Sequence, residues 1–305
     1  MKVIGSPREF KSGRKVCLAI GFFDGVHLGH QQIIRQTITD ARQHDGAAVV
    51  ITFDRHPNSI VAPGHVPPLI YSLEQKIRTI RRLGPEALLL ISFDPDFSHQ
   101  TGEAFVRALA SQFHGIQSIC VGADFVFGHR RSGNVALLRK LGSELGFFVH
   151  GMAAVSLDGK AISSTRIRER VLAGDLDAAG QMLGRAYSIS SRVIEGDKLG
   201  RTLGFPTANL DIAGLVLPPC GVYAATVQAG GGTHHAVLNI GHRPTLNNPA
   251  PPLRFEAHIL DFTGDLYGRE MEVTPIKKLR DEQKFCSLDE LKSQIARDIQ
   301  AARGG

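Results

Sequence analysis

Residues 1–185 alternate strand and helix signals and residues 186–305 do not, and that break constrains the fold most. Val16–Phe23 reads as a buried strand. His30–Gln43 reads as a helix, with Ile33, Ile34, Ile38 and Ala41 recurring at helical spacing. Ala47–Phe53 is a second strand. "SLEQ" (Ser72–Gln75) has the form of a capping box and should start a helix through Arg82. Ala87–Phe93, Gln117–Val121 and Phe147–Met152 read as further strands, and Thr101–Phe113 and Val135–Leu145 as helices. This alternation predicts a parallel sheet with helices on both faces. Ligands in such sheets bind outside the C-terminal strand ends.

The pattern changes after Leu183–Ile189. Glycine and proline become dense, and short apolar runs are separated by turns. Strands are expected at Ser188–Ile194, Val222–Gln228, His235–Ile240, Phe255–Phe262 and Glu270–Pro275, with a hairpin at Gly230-Gly231-Gly232. Together they predict a compact antiparallel β-barrel. "SLDE" (Ser287–Glu290) is a second capping box, opening a terminal helix to about Ala302. The expected domains are residues 1–185, α/β, and residues 186–305, all-β with a closing helix.

Length and composition narrow the functional classes. A chain of 305 residues is comfortable for two domains. With 43% hydrophobic and 21% charged residues, a packed globular protein is expected. No signal-peptide core or bilayer-length apolar run is present. Cys17, Cys120, Cys220 and Cys286 are scattered without a CxxC pair, which suggests neither a zinc site nor a redox motif and fits a reduced cytoplasm. The net charge of +6 lies wholly in the first part: residues 1–185 hold 22 Lys+Arg against 16 Asp+Glu, and residues 186–305 hold 13 against 13. A modest excess suits anionic small ligands at least as well as nucleic acid.

"GFFDGVHLGH" (residues 21–30) follows the first strand. Gly21 and Gly25 permit a sharp turn and close backbone approach. A helix starting near Gly29 presents backbone N–H groups and a positive dipole end, an anion site before any side chain is counted. His27 and His30, three apart, can point to one place and donate to phosphate oxygens. The alternative is a βα turn with one capping and one exposed histidine, and spacing alone does not separate the two. No P-loop and no GxGxxG order is present.

"GFFDGVHLGHQ" carries HxGH, the signature of the nucleotidyltransferase superfamily that includes class I aminoacyl-tRNA synthetases. More closely, it resembles the prokaryotic bifunctional riboflavin kinase/FAD synthetases, with Phe22 where asparagine is usual. "ISSTRIRERVLAGD" (residues 162–175) matches another motif of that family, which replaces KMSKS. Read by itself it is a capped basic helix, whose Arg166 and Arg168 oppose the helix dipole unless an anion is bound. "FDRHP" (residues 53–57), with Arg55 where proline is common, and "VGADFVFG" (residues 121–128) also match; Asn134 stands where an acidic residue is usual. The resemblance implies a Rossmann-like nucleotidyltransferase domain. Gly21, Phe23, Asp24, Gly25, Gly29, Asp124, Ser163, Ser164, Thr165, Arg166 and Arg168 would bind nucleotide there, and His27 and His30 would act on the α-phosphate.

"GDKLGRTLGFPTANL" (residues 196–210) is the most specific run of the second part. Its glycines allow a loop that wraps phosphates with backbone N–H groups, and Lys198 and Arg201 add charge. Thr207 and Asn209 offer oxygens suited to magnesium. A Gly-rich hairpin with incidental polar residues is the plainer alternative. The string resembles the riboflavin kinase domain. "GVYA" (residues 221–224), "NIGHRPT" (residues 239–245), "FEAHILDFTGDLYG" (residues 255–268) and "LRDEQKF" (residues 279–285) follow in family order. The resemblance implies Gly196, Lys198, Gly200 and Arg201 at the nucleotide, Thr207 and Asn209 at Mg²⁺, Glu256 as general base, and Arg280, Asp281 and Phe285 at the flavin. "NNPAPP" (residues 247–252) would be a flap.

The implied activity is phosphorylation of riboflavin to FMN with ATP, then adenylylation of FMN to FAD with release of pyrophosphate. One reading keeps the fold with a single working site. Another makes the barrel a nucleic-acid binder, against which the balanced charge of residues 186–305 argues. The expected partners are therefore small molecules, with neither nucleic acid nor membrane, in a monomer or weak homo-oligomer.

Overall fold

The structure is a computed structural model and describes residues 1–196, 200, 203–242 and 253–304. The chain forms two compact units: residues 1–69 with 76–164, and residues 70–75 with 165–305.

Unit 1 is built on a six-stranded, all-parallel sheet in the order β1-β4-β3-β2-β5-β8. Its strands are β1 (Lys2–Ile4), β2 (Val16–Ile20), β3 (Ala47–Phe53), β4 (Ala87–Ile91), β5 (Ile116–Gly122) and β8 (Phe148–Met152). Two short hairpins, β6 (Val126–Phe127) with β7 (Gly133–Asn134) and β9 (Ser156–Leu157) with β10 (Lys160–Ala161), stand outside it. The helices are α1 (Leu28–Gln43), α2 (Asn58–Val61), α4 (Pro95–Ser98), α5 (Gly102–Gln112) and α6 (Val135–Leu145). Helix α3 (Leu73–Leu83) and helix α7 (Ser164–Leu172) each carry the chain from one unit into the other.

Strand alternation splits the apolar residues into two cores. Leu18, Ile20, Val49, Ile51, Leu89 and Val121 pack with Phe105 and Leu109 of α5 and Leu138 of α6. Cys17, Ala19, Ala48, Val50 and Cys120 face Ile33, Ile34 and Ile38 of α1. From β2 the chain runs first to β3 and β4 on one side and later to β5 and β8 on the other. The carboxyl ends of β2 and β5 therefore flank a topological switch point, where such sheets open a crevice. The expected strand Val16–Phe23 stops at Ile20, because Phe23 adopts a left-handed φ of 54° and turns the chain.

Unit 2 contains the closed antiparallel barrel β11-β12-β15-β14-β13-β16. Its strands are β11 (Ile189–Ile194), β12 (Ala208–Leu210), β13 (Gly221–Ala229), β14 (Gly232–His242), β15 (Leu253–Ile259) and β16 (Glu270–Arg280). Helix α8 (Leu176–Leu183) precedes the barrel and α9 (Leu288–Arg303) follows it. The hairpin expected at Gly230-Gly231-Gly232 forms with a two-residue loop, Gly230 and Gly231, both at positive φ, while Gly232 already pairs with Ala229 as the first residue of β14. In α9, Ser287 Oγ accepts from Glu290 N–H, as the capping box predicts. In α3 the Ser72 cap forms, but Gln75 does not close the box. Its amide donates to Ser188 O at 2.9 Å and accepts from Ser190 N–H at 3.0 Å, tying the start of α3 to β11.

In unit 1, the β6–β7 hairpin and the loop that follows β6 lie against the start of α5. Gly128 has φ +73°, and a Cβ there would lie 2.3 Å from Gly102 N. Gly128→Ala should destabilise unit 1 by about 3 kcal/mol, from backbone strain plus overpacking. Gly159→Ala, at φ +70° with open space around it, should cost about 1 kcal/mol. Urea unfolding of both variants measures the difference.

Candidate active sites

The segment between β2 and α1 is held by its carbonyls. Phe22 O accepts from Thr52 Oγ at 2.9 Å and from Lys76 Nζ at 3.2 Å. Asp24 O accepts from Ser164 Oγ, and Val26 O from Gln31 Nε2. These bonds hold a turn in which Phe23, Gly25 and Val26 all have positive φ. His27 then caps α1, its Nδ1 accepting the His30 N–H. Because Nδ1 accepts, the ring proton of neutral His27 sits on Nε2. The His27 and His30 rings stack with centroids 3.5 Å apart. Gly29 permits this, since a Cβ there would lie 3.2 Å from the His27 ring. Gly21 serves likewise for the Phe23 ring, which meets His30 edge-on.

These residues line a cleft of about 360 Å³ at the switch point, with Gly21, Phe23, His27, Gly29 and His30 on the β2–α1 side and Asp124 following β5. Asp124 is exposed at its lip. His30 Nδ1 is buried without a hydrogen-bond partner. Burial lowers the His30 pKa well below the usual histidine value, helped by His27 and Lys76, so the ring is neutral at pH 7. Neither histidine is the exposed bystander that the plainer reading allowed. Asp24 and Gly25 are buried in the turn itself.

A second cleft of about 590 Å³ shares Ile20, Phe22 and Phe125 with the first. Phe53, Phe93, Phe97, Phe105 and Phe127 line it, and Gly128–Arg131 form part of its wall. Sequence reasoning missed this cleft and left Phe22 unexplained. Phe22 lines both clefts, meets His56 edge-on at 4.9 Å, and has Lys76 Nζ 4.4 Å from its ring centre. Lys76 was missed too. Only 4% exposed, it bonds the carbonyls of Phe22 and Phe53 and so ties the turn after β2 to the end of β3. Burial pulls its pKa down to about 8, against the pull of Asp24 and Asp54.

On α7, Ser164 is the first helical residue and donates to Asp24 O rather than capping. Ser163, half-buried, precedes the helix. Thr165 is exposed, Arg166 half-buried and Arg168 buried, all in unit 2.

In unit 2 a cleft of about 260 Å³ is lined by Gly200, Thr207, Asn239, Glu256, Arg280 and Phe285, among others. Barrel register sets Glu256 opposite Asn209 on one side and Asn239 on the other. One carboxylate is thus flanked by two carboxamides across three strands. Arg254 pairs with Glu256 at 3.4 Å. A Cβ on Gly196 would lie 2.3 Å from the Asn209 amide, and one on Gly200 would lie 2.4 Å from Phe205 O, so neither position has room for a side chain. Arg280 is held by two-pronged bonds to Asp298 of α9, 2.8 Å at the shortest, and lies 5.8 Å from the Phe285 ring centre. Asp281 instead faces Lys278, whose hydrogen bond lowers its pKa, and does not line the cleft. A further cavity of about 500 Å³ shares Thr207 with this cleft. Lys198, Arg201, Arg243–Thr245 and the expected flap at 247–252 lie outside the described residues.

Lys76 gives unit 1 a pH signature. Its folded pKa of about 8 lies below the unfolded value of 10.5, so the unfolded chain binds the extra proton between those values and stability rises with pH there. Relative to Lys76→Met, the wild type should gain about 3 kcal/mol between pH 8 and 10.5. Urea unfolding across that range checks it.

The FAD synthetase family matches residues 9–166, and the riboflavin kinase family matches residues 183–304. The bifunctional riboflavin kinase/FMN adenylyltransferase of Escherichia coli (strain K12) is 39% identical over 94% of this chain and 91% of its own. The Pseudomonas fluorescens protein of the same description is 36% identical over 99% of this chain and 97% of its own. A solved structure described as a macrolide-efflux protein from Streptococcus pneumoniae has a TM-score of 0.83 and 29% identity, covering 99% of this chain and 98% of that one. Among the described residues, no helix is long and apolar enough to cross a membrane. With both family matches in order and relatives aligned over nearly its whole length, the chain belongs to the bifunctional riboflavin kinase/FMN adenylyltransferase family.

Proposed function

We propose that the chain makes FAD in two ATP-dependent steps, with residues 186–305 phosphorylating riboflavin and residues 1–185 adenylylating the FMN produced. The observation that carries this reading is that two chemically different clefts, one lined by stacked histidines and one by Glu256, fall within the matches to the two families.

In the adenylyl-transfer step an FMN phosphate oxygen attacks the α-phosphorus of ATP. The new O–P bond forms as the bond to the β-phosphate oxygen breaks, and pyrophosphate leaves. No covalent enzyme intermediate is required, so positioning and charge stabilisation carry the catalysis. His27 and His30 serve the α-phosphate, whose oxygens would satisfy the orphaned His30 Nδ1. Gly21, Phe23, Asp24, Gly25 and Gly29 shape the turn against the nucleotide, and Asp124 closes its lip. Ser163, Ser164, Thr165, Arg166 and Arg168 hold the triphosphate, a role that rests on the family motif. The phenylalanine-lined cleft takes the flavin ring, since a flat aromatic fits ring-lined walls that adjoin the histidines.

In the kinase step Glu256 takes the proton of the riboflavin 5′-hydroxyl as its oxygen bonds the γ-phosphorus and ADP departs. The two substrates meet at Thr207, which lines both barrel cavities. Gly196, Lys198, Gly200 and Arg201 wrap the nucleotide, while Arg280 and Phe285 hold the flavin and Asp281 restrains Lys278 beside them. Thr207 and Asn209, with Glu256 opposite, present hard oxygen donors of the kind Mg²⁺ prefers, so these residues fit that ion. When bound, Mg²⁺ would neutralise phosphate charge. We read the protein as cytoplasmic, as a monomer or weak homo-oligomer, and as binding neither nucleic acid nor membranes.

His30→Ala should lower FAD formation from FMN about 10²–10³-fold and leave FMN formation unchanged. Glu256→Gln should lower riboflavin phosphorylation about 10²–10⁴-fold and spare adenylylation. Separating the flavins after each reaction reads both outcomes. A crossed result would overturn the division of labour.

A further inference from the structure

We propose that unit 1 carries a second, non-catalytic site, for a zinc-class divalent cation, formed by Asp40, Cys120 and His150. Strands β5 and β8 pair Cys120 directly with His150, so both side chains leave the same face of the sheet. Helix α1 covers that face and brings Asp40 down from its last turns. Asp40 Oδ2 lies 3.1 Å from His150 Nε2 and 3.6 Å from Cys120 Sγ. All three ligand atoms lie within 4.8 Å of one another.

The two separations from Asp40, 3.1 and 3.6 Å, are close to the edges of a metal tetrahedron. With Zn–O and Zn–N near 2.0 Å and Zn–S near 2.3 Å, ligand atoms stand roughly 3.3–3.6 Å apart. A thiolate, an imidazole and a carboxylate form a set that favours zinc over magnesium. The supporting bonds are present as well. Gln36 Nε2 donates to Asp40 Oδ1 at 2.7 Å and Ser118 Oγ donates to Oδ2 at 2.7 Å, fixing the carboxylate in orientation. Asp40 and Cys120 are buried, whereas the His150 side chain is 40% exposed on the edge strand. That exposure supplies an entry path and a side for a fourth ligand from solvent. In the metal-free protein the Cys120 thiol points its proton at Asp40. Binding exchanges that proton, released to solvent, for the metal–sulfur bond. Asp40 lies ten residues beyond His30 on α1, about 15 Å along the helix axis, so the site is separate from the histidine cleft.

The test uses the full chain, stripped of metal with a chelator and titrated with Co²⁺ and then Zn²⁺. The expected result is one equivalent of Co²⁺ with the absorption of a tetrahedral ion and a thiolate-to-cobalt charge-transfer band, displaced by Zn²⁺. Cys120→Ser should abolish the band. His150→Ala, a change at a half-exposed position, should weaken Zn²⁺ binding by about a hundredfold or more and remove the Zn²⁺-dependent rise in melting temperature. Neither variant should alter FMN or FAD formation in Mg²⁺, which also reports that both remain folded. Binding without a thiolate band would overturn the proposal, as would a band that survives both substitutions and so comes from another cysteine.

Discussion

Unit 1 depends on a strained turn that its neighbours hold shut. Phe23 and Val26 both occupy left-handed backbone conformations, and Val26 is β-branched, where the cost is greatest. Nothing in residues 21–30 alone would keep that shape. Thr52, Lys76, Ser164 and Gln31 do so by binding the carbonyls of Phe22, Asp24 and Val26. The result is a fixed entry angle into α1, with His27 as its cap and His30 stacked on His27. Strain of this sort is commonly found where a site must be organised before its ligand arrives.

Unit 2 solves its problem differently. A barrel has no single privileged turn, so its polar groups are placed by strand register. Asn209, Glu256 and Asn239 lie abreast because three antiparallel strands pair as they do. A one-residue slip of β15 would send Glu256 to the opposite face, away from both carboxamides. Helix α9 then fixes the wall of the cleft through the Asp298–Arg280 pair. That pair is largely buried, and removing one partner would leave the other charge stranded.

Much of this was legible in the sequence. Strands of continuous apolar residues, such as Ala47–Phe53, and helices with a clear cap, such as Val135–Leu145, coincide with the structure residue for residue. Local chemistry also announced both capping serines and the glycine hairpin, whose loop is one residue shorter than the expected Gly230-Gly231-Gly232. Three kinds of feature escaped. Short elements such as β1 and β12 are strands only because a neighbour pairs with them. Side chains that work at a distance, as Lys76 and Gln75 do, carry no local signal. The aromatic cleft gathers seven phenylalanines spread between positions 22 and 127, and each by itself reads as core. The β9–β10 hairpin was missed as well, although its Asp158-Gly159 turn carries a recognisable hairpin signal.

The central claim is that one chain completes both steps from riboflavin to FAD. Incubating the purified protein with riboflavin, Mg²⁺ and ATP, and separating the flavins over time, tests it most directly. The account predicts that FMN appears first and is then converted to FAD, with one pyrophosphate released for each FAD formed. FMN that accumulates with no FAD, or riboflavin left untouched while added FMN is adenylylated, would contradict it.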